Sequence, residues 1–173
     1  MRRETILLGM SLAWAALSVS AWLGGCGSDR TQKRPAETTV RCGDAVWRVR
    51  LAMTPSTQRR GLGGVSELAE DEGMLFAFPV EKPRHFWMKD CLIPLDIAFL
   101  NADRKVVAIH TMPVHTGDGP LPWYDSGDPA IYALEVPAGA LERAGVRVGD
   151  EFTFSPAVEQ AIEKFGKIKM LVI

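Results

Sequence analysis

Cysteine and histidine are scarce in this chain, three of each in 173 residues, and tyrosine occurs only twice. No Gly-x-Ser-x-Gly marks a nucleophile elbow, and no motif of the P-loop kind marks a phosphate cradle. Gly61-Leu62-Gly63-Gly64 lacks the Lys-Ser/Thr that completes such a cradle, and it ends a predicted helix instead of opening one. An excess of one charge is also missing, because 20 basic residues face 21 acidic ones for a net charge of −1. A nearly neutral chain has no electrostatic footprint for nucleic acid, so no nucleic-acid partner is expected. There is no internal repeat.

What is present begins at the N-terminus. Arg2 and Arg3 precede a stretch from Ile6 to Gly25 without any charge, the layout of a secretory signal. Twenty residues at about 1.5 Å each would also span a bilayer. Against a spanning helix, Gly9, Ser11, Ser18 and Ser20 dilute the stretch, and it closes on Leu23-Gly24-Gly25-Cys26, which resembles a lipobox. The expectation is a cleaved signal peptide over 1–25, an acylated Cys26, and an exported lipoprotein held to the membrane by its lipid, facing the periplasm or the cell exterior. Removal of residues 1–25 takes Arg2, Arg3 and Glu4 with it and leaves 148 residues of net charge −2, a common size for one domain.

Residues 26–38 are polar, contain Gly and Pro, and show no apolar period, so they read as a tether. From 39 to 155 the pattern is that of a β domain. Val40 and Cys42, the Gly43-Asp44 turn, and Trp47, Val49 and Leu51 alternating with Arg48 and Arg50 predict a hairpin. Thr54-Pro55 predicts a helix start, closed by Gly61, Gly63 and Gly64. Further strands are expected at 74–78, 85–88, 95–100, 106–112, 130–136 and 151–155, with a second short helix at 139–144. Close turns and few helices predict a mainly β (α+β) fold, a small antiparallel, partly open barrel or sandwich. Met112 to Pro129 is a long loop rich in Gly, Pro and Asp, the kind of segment that often carries function. Residues 156–173 predict a helix over 157–165, then an alternating run that is either a strand or a tail.

The densest block is Phe86-Trp87-Met88-Lys89-Asp90-Cys91-Leu92-Ile93-Pro94-Leu95-Asp96, where charges sit among apolar residues and must pair or reach a rim. Together with Arg60-Gly61-Leu62, Glu72-Gly73-Met74-Leu75-Phe76, Leu134-Glu135-Val136 and Val148-Gly149-Asp150, it resembles domain of unknown function 192, also called uncharacterised protein family 0127, over roughly residues 40–155. Cys91 stands where that family usually has Thr, and Gly63 where many members have Met. The resemblance implies a fold and often an exported or membrane-associated setting, and it brings no established reaction.

Several chemistries remain open in the sequence. His110, Met112 and His115 form a soft ligand set of the kind that suits copper, although Pro113 interrupts it. Cys91 with His85, or Ser126, are candidate nucleophiles, and Asp90, Asp96 and Glu135 are candidate paired carboxylates for a hydrolase. A purely structural envelope protein is another reading. The preferred one is a tethered binding module whose open end, rimmed by Arg60, Trp87, Lys89, Asp96 and Glu135, holds a small polar ligand or an envelope polymer, with Trp87 as a stacking face. No cofactor is expected. Cys42 and Cys91, left as an even pair in an oxidising compartment, are candidates for a disulfide.

Overall fold

The computed structural model describes residues 38–170, with side chains through 167. The expected signal peptide, Cys26 and nearly all of the tether lie outside the described residues. The domain is a curled half-barrel of seven strands with a two-stranded sheet beside it and three short helices.

The predicted hairpin forms as β1 (Thr39–Cys42) and β2 (Ala45–Ala52), turned by Gly43 at φ +56°. Helix α1 (Pro55–Arg60) follows, and Thr54 closes a capping box with Thr57: the Thr57 N–H donates to Thr54 Oγ1 (3.2 Å) and the Thr54 N–H to Thr57 Oγ1 (3.1 Å). Gly61, at φ +52°, ends the helix in a conformation that a side chain would strain. The chain then returns along β3 (Glu72–Lys82), which pairs parallel to β2. This parallel pair departs from the antiparallel expectation. The stretch from residue 53 to 71 is long enough to carry the chain back across the sheet, where a tight turn would have forced an antiparallel pair.

The remaining strands are β4 (His85–Phe86), β5 (Leu95–Leu100), β6 (Val106–Met112), β7 (Tyr124–Asp125), β8 (Ala130–Pro137) and β9 (Thr153–Phe154), with α2 (Ala140–Arg143) between β8 and β9. The large sheet runs β6-β5-β8-β3-β2-β1-β9, and β4 pairs with β7 outside it. Helix α3 (Pro156–Met170) continues through the alternating run expected to be a strand or tail. With one helical turn every 3.6 residues, a two-residue alternation over four positions is too short to override an established helix.

β5 is buried at all six positions because both faces of the sheet are covered. On one face Ala98, Leu100, Leu134, Val136 and Leu75 pack with Leu141 of α2, Phe152 and Val158 of α3. On the other, Leu95, Ile97, Phe99, Met74 and Phe76 pack with Leu62 and Met88 from the connecting segments. Strand alternation therefore decides which chemistry reaches which side: Ile97 is opposite Glu135, and Asp96 is opposite Val136. Glu135 faces the second cluster and Asp96 the first.

Gly73 permits the close approach of β3 and β8 at this point. A Cβ there would lie 2.5 Å from the Glu135 backbone oxygen.

Candidate functional site

The second face opens into a cleft of about 480 Å³, within the range of small-molecule sites. Three segments build its walls, and Trp123 before β7 and Glu135 of β8 complete the lining. The end of α1 supplies Arg59, Arg60 and Gly61; β3 supplies Phe76 and Phe78, with Lys82 at its end; the segment around β4 supplies Arg84, Phe86, Trp87, Lys89 and Cys91. Gly64 N–H donates to the Asp90 carbonyl (2.8 Å), which fastens the turn after α1 to the Lys89–Cys91 segment.

Glu135 is the floor. It is 4% exposed, and its Oε2 has no hydrogen-bond partner. Burial pushes its carboxyl from an ordinary 4.5 up to about 8, so it is a neutral acid, and a possible donor, at neutral pH. Gly61 places no side chain above this oxygen; a Cβ there would stand 3.8 Å from it, in ordinary contact.

The walls are aromatic. Phe86 meets Phe76 edge to face with ring centres 4.9 Å apart and Phe99 at 5.4 Å. Trp87 and Trp123 stack at 4.7 Å and remain 41% and 56% exposed. The pairing of β4 with β7, His85 opposite Asp125 and Phe86 opposite Tyr124, brings those two indoles together. His85 Nδ1 bonds the Asp125 carboxylate in the same two-stranded sheet, and Arg84 lies over the Phe78 ring at 3.9 Å.

Of the five residues expected to rim one site, Arg60, Trp87, Lys89 and Glu135 line this cleft. Asp96 does not. It is 2% exposed on the opposite face, where it accepts from Thr111 Oγ1 (2.8 Å) and from the Leu141 N–H (3.2 Å). Gly139 precedes α2 without a side chain to cap it, so the Asp96 carboxylate supplies the missing cap across the sheet. Cleft residues that sequence reasoning missed are Arg59, Lys82, Arg84 and Trp123. Trp123 lies in the long loop singled out for function, and a two-residue strand inside a Pro- and Gly-rich segment leaves no periodic trace.

The other candidate chemistries do not assemble. Cys42 and Cys91 are free thiols: Cys42 packs in the cluster beneath α2 and α3, whereas Cys91 packs on the cleft side of the sheet, so the expected disulfide is not formed. Cys91 is pushed up to about 11, by burial first and then by Glu135 and Asp90, the reverse of an activated thiolate. Ser126 is buried and committed, accepting from the Arg84 N–H (2.9 Å) and donating to the Asp128 carbonyl (2.6 Å). His85 is held by Asp125. With Asp96 on the far face, Glu135 is the only carboxyl that lines the cleft among the described residues, and they bring no second one to it as the carboxylate pair of a glycosidase would need.

His110 Nε2 donates to the Asp125 carbonyl (2.7 Å), Met112 is fully buried opposite Leu95, and His115 Nε2 donates to the Gly119 carbonyl (3.1 Å). These three do not converge as ligands. Among the described residues, no group of three or more His, Cys, Asp or Glu side chains converges on a metal position.

Comparison with known proteins fits this domain to a family. A crystal structure of a Sinorhizobium meliloti protein, provisionally named a transcription regulator, is 35% identical; the match covers 69% of this chain and 94% of that one, with a TM-score of 0.62. A Novosphingobium aromaticivorans protein of unknown function is 32% identical over 68% of this chain and 83% of its own, with a TM-score of 0.61. No curated protein matches the chain. The profile of DUF192, described as an uncharacterized ACR, matches residues 37–154, and the chain belongs to that family.

Proposed function

We propose that this domain is a binding module of the cell envelope that takes a small polar ligand, or the end of an envelope polymer, in the cleft above Glu135. The observation that carries the reading is the Glu135 carboxyl, buried at the floor of an open cleft with one oxygen unpartnered. A buried polar atom without a partner costs about 1–3 kcal/mol, which a ligand group bonded to it would offset. The aromatic walls add apolar contact and stacking faces. A purely structural role gives no account of the open volume or of the exposed indole pair.

A thermal-shift screen of envelope sugars and small organic acids, with wild type beside Trp87→Ala and Glu135→Leu, tests the reading. A ligand at a hundredfold excess over its Kd stabilises the folded state by about 2.7 kcal/mol, roughly 5–10 °C for a domain of this size. Hits should lose that shift in both variants. Equal shifts in all three proteins would place binding elsewhere.

The envelope setting rests on the residues before the domain. Cys26, at the end of a lipobox-like sequence, would carry the anchor, and the polar residues up to 38 would hold the cleft clear of the headgroups. Cys26→Ser, expressed without residues 1–25, should give folded protein in the soluble fraction. Retention in washed membranes would refute lipid anchoring.

A further inference from the structure

The mouth of the cleft carries charge of one sign. Arg59 and Arg60 reach it from α1, Lys82 from the end of β3 and Lys89 from the segment after β4, and all four are exposed. None of the four has an ion pair or a side-chain hydrogen bond among the described residues. Elsewhere Arg48 pairs with Asp71, Arg104 with Glu159 and Arg143 with Glu70, and what sets the mouth apart is that four unpaired cations gather around one cleft. Unmatched cations around a concave, partly apolar site concentrate anions there.

The one carboxyl in the lining does not oppose an anion. Glu135 is buried below the cations with an unpartnered oxygen, and in its neutral form it donates a hydrogen bond to an oxygen placed above it. A cationic ligand would find the reverse arrangement, with like charges at the entrance and a neutral floor.

We infer that the cleft selects a small organic anion: its carboxylate or phosphate is held by Arg59, Arg60, Lys82 and Lys89 at the mouth, with one of its oxygens accepting from Glu135 below, and its ring or apolar body lies against Phe86 and Trp87. This rests on the small-ligand reading above and adds the charge and shape of what binds. It also carries a proton requirement. The Cys91 thiol interacts electrostatically with Glu135 and with Asp90, and the other charged or titratable groups that line the same cleft are the four mouth cations, Arg84 and His85. Burial holds its carboxyl up to about 8; above that point it ionises and repels the anion it had bonded.

The full protein is titrated with benzoate, phenyl phosphate, benzyl alcohol and benzylamine, and amide shifts at Gly61, Trp87 and Glu135 report occupancy of the cleft. At low salt the two anions should bind about tenfold more tightly than benzyl alcohol, and the advantage should shrink in high salt and in the Arg60→Gln/Lys89→Gln double variant. Which of benzoate and phenyl phosphate binds more tightly identifies the anion type. Above pH about 8 benzoate affinity should fall by about tenfold per pH unit, the slope for one required proton, and Glu135→Gln should remove the fall. Cleft shifts with benzyl alcohol or benzylamine and no advantage for the anions would overturn the charge assignment while leaving the ligand-site reading intact. No cleft shifts with any of the four would overturn both.

Discussion

Replacing Glu135 by Gln removes a charge that the fold has no means of stabilising. The carboxyl titrates near 4.5 when exposed and near 8 when buried here, so the unfolded chain ionises first as pH rises. Below the lower value both states are protonated and the residue contributes no pH dependence. Between the two values the unfolded state releases its proton and gains, and the folded state loses relative stability until its own carboxyl ionises. At 1.36 kcal/mol per pH unit, the penalty is on the order of 5 kcal/mol once the upper value is passed and roughly 3 kcal/mol at pH 7. Gln keeps the shape but has no proton to exchange. Its buried amide carries a cost of its own, about 1–3 kcal/mol, that does not change with pH. The assay is urea unfolding of wild type and Glu135→Gln at a series of pH values on either side of both titrations. The stability difference between the two proteins should move in favour of Gln by several kcal/mol across the series, which corresponds to a relative rise in Tm of roughly 10 °C. Every other titrating group is common to both proteins and cancels in that difference. Parallel stability curves would show that Glu135 is not a desolvated carboxyl, and the account of the cleft floor would fail.

Asp96→Ala should cost about 2–4 kcal/mol in urea unfolding, because it leaves the Thr111 hydroxyl and the Leu141 N–H without their acceptor, and it should leave ligand shifts in the cleft unchanged. Loss of binding at unchanged stability would restore Asp96 to the site. Gly73→Ala forces a methyl to within 2.5 Å of the Glu135 backbone oxygen, so it should lower the urea midpoint by the equivalent of about 2 kcal/mol or more; a midpoint equal to wild type would contradict the close approach of β3 and β8. Alkylation of non-reduced, unfolded protein should find both Cys42 and Cys91 as thiols, and native Cys91, held near 11, should react about a hundredfold more slowly than a free cysteine. A disulfide, or fast native labelling of Cys91, would reverse that picture.

Local physics made much of the fold legible. The limits of β5 and β6 follow from apolar runs bounded by turn residues, and the hairpin of β1 with β2 from two-residue alternation around Gly43-Asp44. Thr54-Pro55 and Gly61 set the ends of α1 through capping and a positive φ, effects that reach no further than four residues along the chain. Linked motifs from Arg60 to Asp150 carried the family. Arg60, Trp87, Lys89 and Glu135 were also identifiable as candidates, because charged and aromatic residues inside apolar blocks must find partners, a rim or a cleft.

What the sequence could not decide was the side of the sheet on which each of these residues stands. Asp96 and Glu135 look alike in the chain, each an acid in an apolar strand. The register of β5 against β8 sends one under α2 as a cap and the other to the cleft floor, because neighbouring positions along paired strands point to opposite faces. The same division parts Cys42 from Cys91. The parallel pairing of β2 with β3 and the β4–β7 pairing that stacks Trp87 on Trp123 are likewise tertiary outcomes. Both depend on contacts between residues far apart in the chain, and two-residue strands are too short to announce a period. Alternation, capping and turn chemistry act between near neighbours and are written in the sequence; the convergence of four cations, an indole pair and one unpartnered carboxyl on a single cleft exists only once the sheet has curled.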